Sequence, residues 1–172
     1  MAGLLEGATG VLVDGKWRAD GPASHVRDKF TQHPAAEVRL GTEADAADAL
    51  ASAARAAQSP LPPAQRQRIL SEAAWLLIAH EAEIMANYIA ETGFTRQDAA
   101  AELARAASTL RLSAEEAIRI AGEEVPVAAA PGSENRLAFT IRVPAGVVVA
   151  IAPFNAPPVS YTHLTLPTIL LV

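Results

Sequence analysis

The sequence has no cysteine. That excludes disulfides, thiolate metal sites and a thiol nucleophile within these 172 residues. Aromatic residues make up only 5% of the chain, so any core must be aliphatic. Much of the 51% hydrophobic fraction is alanine, which favours helices but brings little apolar area per residue. No basic block stands out and the formal net charge is −5, so no nucleic-acid partner is expected. The longest apolar runs fall far short of a bilayer crossing. The first ten residues lack the basic flank and long apolar stretch of a signal peptide. No membrane partner is expected, and a cytoplasmic location is the default.

Further absences narrow the chemistry. His25, His33, His80 and His163 show no metal-ligand spacing. There is no Gly-x-Ser-x-Gly elbow of the kind that serves serine hydrolases. Residues 10–16 match a phosphate-binding loop until its last position, where Trp17 replaces the hydroxyl residue that reaches magnesium. The Val11-Leu12-Val13 interior is strand-like, so a nucleotide loop is not supported there.

What is present is a change of pattern along the chain. Val11 to Trp17 reads as two short strands about an Asp14-Gly15 turn. Residues 18–41 are mixed, with a further short strand at 36–40. Thr42 and Asp45 have capping-box spacing and start a helix whose apolar positions are Ala46, Ala47, Leu50, Ala53, Ala54 and Ala57. Prolines end it, and Pro63 suits the first position of a second helix with Ile69, Leu70, Ala73, Leu76 and Leu77 inward. A third helix carries Ile84, Met85, Tyr88 and Ile89 and closes at Gly93. Thr95 and Asp98 start a long alanine-rich helix to about Ala121. Its Glu102, Arg105, Arg111, Glu115, Glu116 and Arg119 read as a solvated face.

Beyond a loop at 125–135 the pattern turns to strands. Residues 136–143 alternate, with Leu137, Phe139, Ile141 and Val143 on one face. Residues 147–152 are continuously apolar, the signature of a buried parallel strand, and they stop at Pro153. Open α/β sheets bind ligands beyond the carboxyl ends of such strands. Asn155 stands there between two prolines. Its carboxamide can donate to a developing oxyanion, although asparagine beside proline is also common in plain turns.

These residues, taken in order, resemble the aldehyde dehydrogenase family. Val13-Asp-Gly-Lys-Trp17 is similar to its N-terminal strand pair, and Leu61 to Leu70 to its "-P-x-x-R-x-x-x-L-" helix start. Glu91-Thr-Gly93 is similar to its "-E-T-G-K-" helix end. Residues 144–148 and 153–157 are similar to "-P-x-G-V-…-P-[WF]-N-x-P-". The resemblance runs from about residue 10 to 158. It implies an α/β fold: helices packed on an incomplete Rossmann-like domain, plus a strand (136–143) of an oligomerisation sheet. It implies oxidation of a small-molecule aldehyde to an acid with NAD or NADP, by an enzyme that is a homo-oligomer. It makes Asn155 the oxyanion-hole amide and sets Ile151, Ala152, Pro153 and Phe154 beside the cofactor. The family's thiolate and catalytic glutamate have no counterpart in this chain, so the chain alone is expected to be inactive. Phe94 departs from the family's lysine. Phe154, in place of tryptophan, occurs among members acting on small hydroxy-aldehydes or phosphonoacetaldehyde.

Residues 1–159 are thus expected to be an incomplete N-terminal part of such a domain. Residues 160–172 carry no Asp, Glu, Lys or Arg, and Pro167 interrupts their leucines. They are expected to be a non-native tail. The alternative reading is a non-catalytic helical interaction or adaptor domain, which accounts for the missing cysteine without truncation.

Overall fold

Asp14 and Gly15 both take positive φ, 53° and 72°, as a tight two-residue hairpin turn demands. In the computed structural model, which describes residues 10–153, this turn joins β1 (Val11–Val13) antiparallel to β2 (Lys16–Arg18). The phosphate-loop lookalike is therefore a hairpin. A second hairpin pairs β3 (Ala23–Arg27) with β4 (Pro34–Arg39). The strand at 36–40 was expected and β3 was not. Only Ser24 and Val26 of β3 are even half-buried, so its sequence carries little apolar signal.

Four helices follow. α1 (Glu43–Ala56) begins with the expected capping box: Thr42 Oγ1 accepts from Asp45 N–H, and Asp45 Oδ2 accepts from Thr42 N–H at 2.9 Å. Its buried face is rotated from the expected one. Ser52 and Ala53 are buried, while Leu50 is 52% exposed. The reason is polar. Arg18 on β2 donates to Asp45 at 3.2 Å and Asp48 at 2.7 Å, and Ser52 donates to Asp14 at 3.0 Å. These bonds turn α1 towards the first hairpin by its polar side.

α2 (Pro63–Ala79) starts on Pro63 as expected and meets α3 (Glu81–Thr92) at His80. α4 (Arg96–Ala117) is capped by Thr95, whose hydroxyl oxygen accepts from Asp98 N–H. It ends four residues before the expected boundary. Two clusters form the core. Leu70 and Ala74 of α2 pack on Leu110, Ala114 and Ala117 of α4. Met85 and Tyr88 of α3 pack on Ala99 and Leu103, with Phe94 edge-on to Tyr88 at 5.6 Å. Glu102 corrects the expected solvated face: it is 2% exposed, because it lies between the buried positions Ala99 and Ala106.

The strand region also differs from expectation. Of residues 136–143 only Ala138–Phe139 form a strand, β6, paired with β5 (Glu124–Val125). Residues 147–152 are neither strand nor buried. Val149 is 73% and Ile151 87% exposed. A buried parallel strand needs neighbours on both edges, and the described residues hold only three separate antiparallel pairs. The Rossmann-like sheet is therefore not among the described residues. The architecture seen is a mixed α/β one of four helices and small two-stranded sheets. The expected tail at 160–172 lies outside the described residues.

Two outcomes follow from this packing. Gly93 caps α3 at φ 76°, and a Cβ there comes within 2.8 Å of Lys29 Cβ. Gly93→Ala is expected to cost about 1–2 kcal/mol, read as a lower urea midpoint. An unchanged midpoint contradicts the contact. Asp45 is held below its ordinary carboxylate value, chiefly by the Thr42 hydroxyl and then by Thr42 N–H and Arg18. A depressed folded value contributes stability that is present above the unfolded carboxylate range and is lost as pH falls through the folded value. Stability is expected to drop on acidification below about pH 4, with a shallower slope in Asp45→Asn. Equal slopes contradict the assignment.

Candidate active site

The expected catalytic arm begins where β6 is anchored. Thr140 N–H donates to the Glu123 carbonyl at 2.8 Å, and Thr140 Oγ1 accepts from Glu123 N–H at 2.9 Å. Arg142 Nε donates to the Ala121 carbonyl at 3.4 Å. The polar face of the alternating segment thus turns inward to the chain. Its apolar face turns out: Leu137, Phe139, Ile141 and Val143 are each more than two-thirds exposed. Gly146, at φ 86°, carries the chain into residues 147–153.

Of the expected cofactor contacts, Ile151 and Pro153 are exposed and Ala152 is half-buried. They are contiguous, apolar and outside any strand ladder among the described residues. Phe154 and Asn155 lie outside the described residues, so no geometry is assigned to the oxyanion amide.

The Glu91-Thr-Gly93 motif is a helix end. Thr92 Oγ1 donates to the Tyr88 carbonyl at 2.6 Å and accepts from Phe94 N–H at 3.2 Å. Phe94, where the family has lysine, turns into the core against Tyr88. Tyr88 itself is held above the ordinary phenol range, first by burial and then by the charge of Glu102, with Arg105 opposing. Among the described residues no cluster of His, Asp or Glu could hold a metal ion. No helix among them is long and apolar enough to cross a membrane. A shallow groove of about 200 Å³ runs between the α2–α3 junction and α4, over Leu77, Leu103 and Ala107, with Glu81 and Arg111 at its sides. It offers two opposite charges and no converging polar set.

Sequence reasoning missed Glu102. The signal was present: Ala99, Leu103, Ala106 and Leu110 step at helical spacing, and position 102 falls inside that stripe.

The sequence profile of the aldehyde dehydrogenase family matches residues 17–171. The chain belongs to the aldehyde dehydrogenase family. It is similar to the 3-sulfolactaldehyde dehydrogenase of Priestia megaterium, with 46% identity over 148 residues, 86% of this chain and 31% of that protein. It is also similar to aspartate-semialdehyde dehydrogenase 1 of Pseudomonas canavaninivorans, 46% identical over 62% of this chain and 22% of that one. Aldehyde dehydrogenase 21 from Physcomitrella patens, solved with the reaction product succinate, superposes with a TM-score of 0.82. It is 27% identical, over 89% of this chain and 32% of its own. The chain spans about a third of the length of the Priestia relative. Solved aldehyde dehydrogenases of this fold hold NAD+ or NADP. The four helices and small sheets described above are therefore part of the aldehyde dehydrogenase fold.

Proposed function

We propose that this chain is the N-terminal part of an NAD(P)-dependent aldehyde dehydrogenase that oxidises a small anionic aldehyde to an acid. The observation that carries the reading is the family match over residues 17–171, together with the Pro153-Phe-Asn155-Ala-Pro157 run at the end of the exposed apolar arm. The anionic substrate class rests on the relatives. 3-Sulfolactaldehyde carries a sulfonate and aspartate semialdehyde a carboxylate, and both relatives are 46% identical to this chain. Phe154 in place of tryptophan agrees with a small substrate. The adaptor reading draws no support from any observation beyond the helices themselves.

In this reading Asn155 donates a carboxamide N–H to the aldehyde oxygen as a thiolate from elsewhere in the enzyme attacks the carbonyl carbon. The donor is set for the tetrahedral oxyanion, so it strengthens as charge develops. The bound dinucleotide supplies a hydride acceptor. Ile151, Ala152 and Pro153 bind and orient it through backbone and apolar contact, and they keep water from that face. The motif assigns Phe154 to the same cofactor contact. The thioester left on the cysteine is hydrolysed by water, with a glutamate as base. The chain has no Cys, so these 172 residues do not supply the thiolate. An oligomeric parent is consistent with the outward apolar face of residues 137–143.

The expected result is that the purified 172-residue chain forms no NAD(P)H with 3-sulfolactaldehyde or aspartate semialdehyde. In an enzyme completed by the downstream family sequence, Asn155→Ala is expected to lower kcat by about 10²–10³-fold with little change in KM. Turnover by the isolated chain, or an Asn155→Ala enzyme of normal kcat, contradicts the proposal.

A further inference from the structure

Four residues, 118–121, separate Gly122 from the end of α4 at Ala117. That end is held: Ala117 packs on α2, and its carbonyl accepts from Arg66 Nη2 of α2 at 3.4 Å. A Cβ built on Gly122 comes within 1.7 Å of the Thr140 carbonyl oxygen and 2.7 Å of its carbon. Both atoms are backbone, so no side-chain rotation relieves the overlap. Any residue but glycine here forces the two segments apart. The approach also shows at Thr140. In a hydrogen-bonded antiparallel pair the two residues exchange backbone bonds. Thr140 N–H does donate to the Glu123 carbonyl, at 2.8 Å, but Glu123 N–H donates to the Thr140 hydroxyl, at 2.9 Å. The Thr140 carbonyl lies on Gly122 instead.

The pairing of β5 with β6 sets Glu124 opposite Phe139 and Val125 opposite Ala138. It continues in the same register through Glu123 and Thr140 to Ala121 and Arg142. From Val143 to Pro153 no hydrogen bond ties the chain to another part of the described residues. The direction in which the arm leaves is therefore set at this joint, and at Gly122 the joint admits no side chain. Gly21 supplies a matched contrast. A Cβ there comes within 1.8 Å of the Leu40 carbonyl oxygen, the same collision beside the β3–β4 hairpin. That hairpin does not lead into the arm.

We propose that Gly122 is a positioning residue for the oxidation. Its bare Cα lets the Thr140 carbonyl seat on the segment that follows α4, and this sets the angle at which the chain departs for the Pro153-Phe-Asn155 run. The inference rests on the reading of the chain as part of an aldehyde dehydrogenase. It adds to that reading a residue that touches neither substrate nor cofactor and acts through the arm.

Two measurements test this, each comparing Gly122→Ala with Gly21→Ala. The first is amide exchange on the 172-residue chain. Gly122→Ala is expected to bring the Glu123 and Thr140 amides to nearly the free-peptide rate while those of α4 keep their protection. Gly21→Ala is expected to leave both amides as they were. Unchanged protection in Gly122→Ala overturns the inference, because the joint then tolerates a side chain. The second uses a chimera in which residues 17–157 replace the matching segment of the Priestia 3-sulfolactaldehyde dehydrogenase. There Gly122→Ala is expected to lower kcat by about 10–100-fold with KM for the aldehyde nearly unchanged. Gly21→Ala is expected to keep the kcat of the unsubstituted chimera. With Asn155→Ala already present, Gly122→Ala is expected to lower kcat little further, since both changes act on one contact. A normal kcat in Gly122→Ala, an equal loss in Gly21→Ala, or a fully additive loss beside Asn155→Ala overturns the inference. An inactive unsubstituted chimera contradicts the proposed function instead, and the exchange readout still decides whether Gly122 sets the joint.

Discussion

The described structure depends on one helix face. α4 buries Ala99, Leu103, Ala106, Ala107, Leu110, Ala114 and Ala117, and both core clusters are built on it. Alanine on that stripe lets α2 and α3 approach closely and adds no side-chain entropy to the cost of ordering. With aromatics at 5%, large anchors are few; Tyr88 and Phe94, edge-on to each other, supply the main one. The first hairpin packs on α1, and there polar bonds replace apolar area: Arg18 to Asp45 and Asp48, Ser52 to Asp14.

The second feature is what α4 does not organise. Past β6 the chain keeps its period-two pattern, but the inward face is the polar one. Leu137, Phe139, Ile141 and Val143 face out, and the apolar residues of 147–151 continue the exposure. Apolar area of this kind is normally covered. The Priestia relative is about three times this length, and in the proposed reading the rest of the enzyme covers this face. The helical block holds both core clusters, while the proposed chemistry belongs to the segment after residue 147.

Much of the helical part was legible in the residues. Thr42 and Asp45, Pro63, Gly93 and Thr95 mark helix ends by local chemistry that does not depend on the rest of the molecule. The hairpin at Asp14-Gly15 is local in the same sense. Sequence and structure differ where a non-local partner decides the outcome. The α1 face was rotated by salt bridges to Arg18, a residue outside the helix. Residues 147–152 read as a buried strand because their composition suits one, yet a strand exists only with neighbours to pair with. Glu102 was assigned to solvent by its charge, although its spacing set it inside. Of the site, Ile151, Ala152 and Pro153 are seen on an open arm, and the role of Asn155 rests on the motif.

Residue-resolved amide hydrogen exchange on the 172-residue chain tests the division most directly. α4 is expected to hold the slowest-exchanging amides, centred on Leu103 to Leu110, while those of residues 147–152 exchange at nearly the free-peptide rate. Protection of residues 147–152 at the level of α4 would contradict the account, because the arm would then be part of the same folded unit.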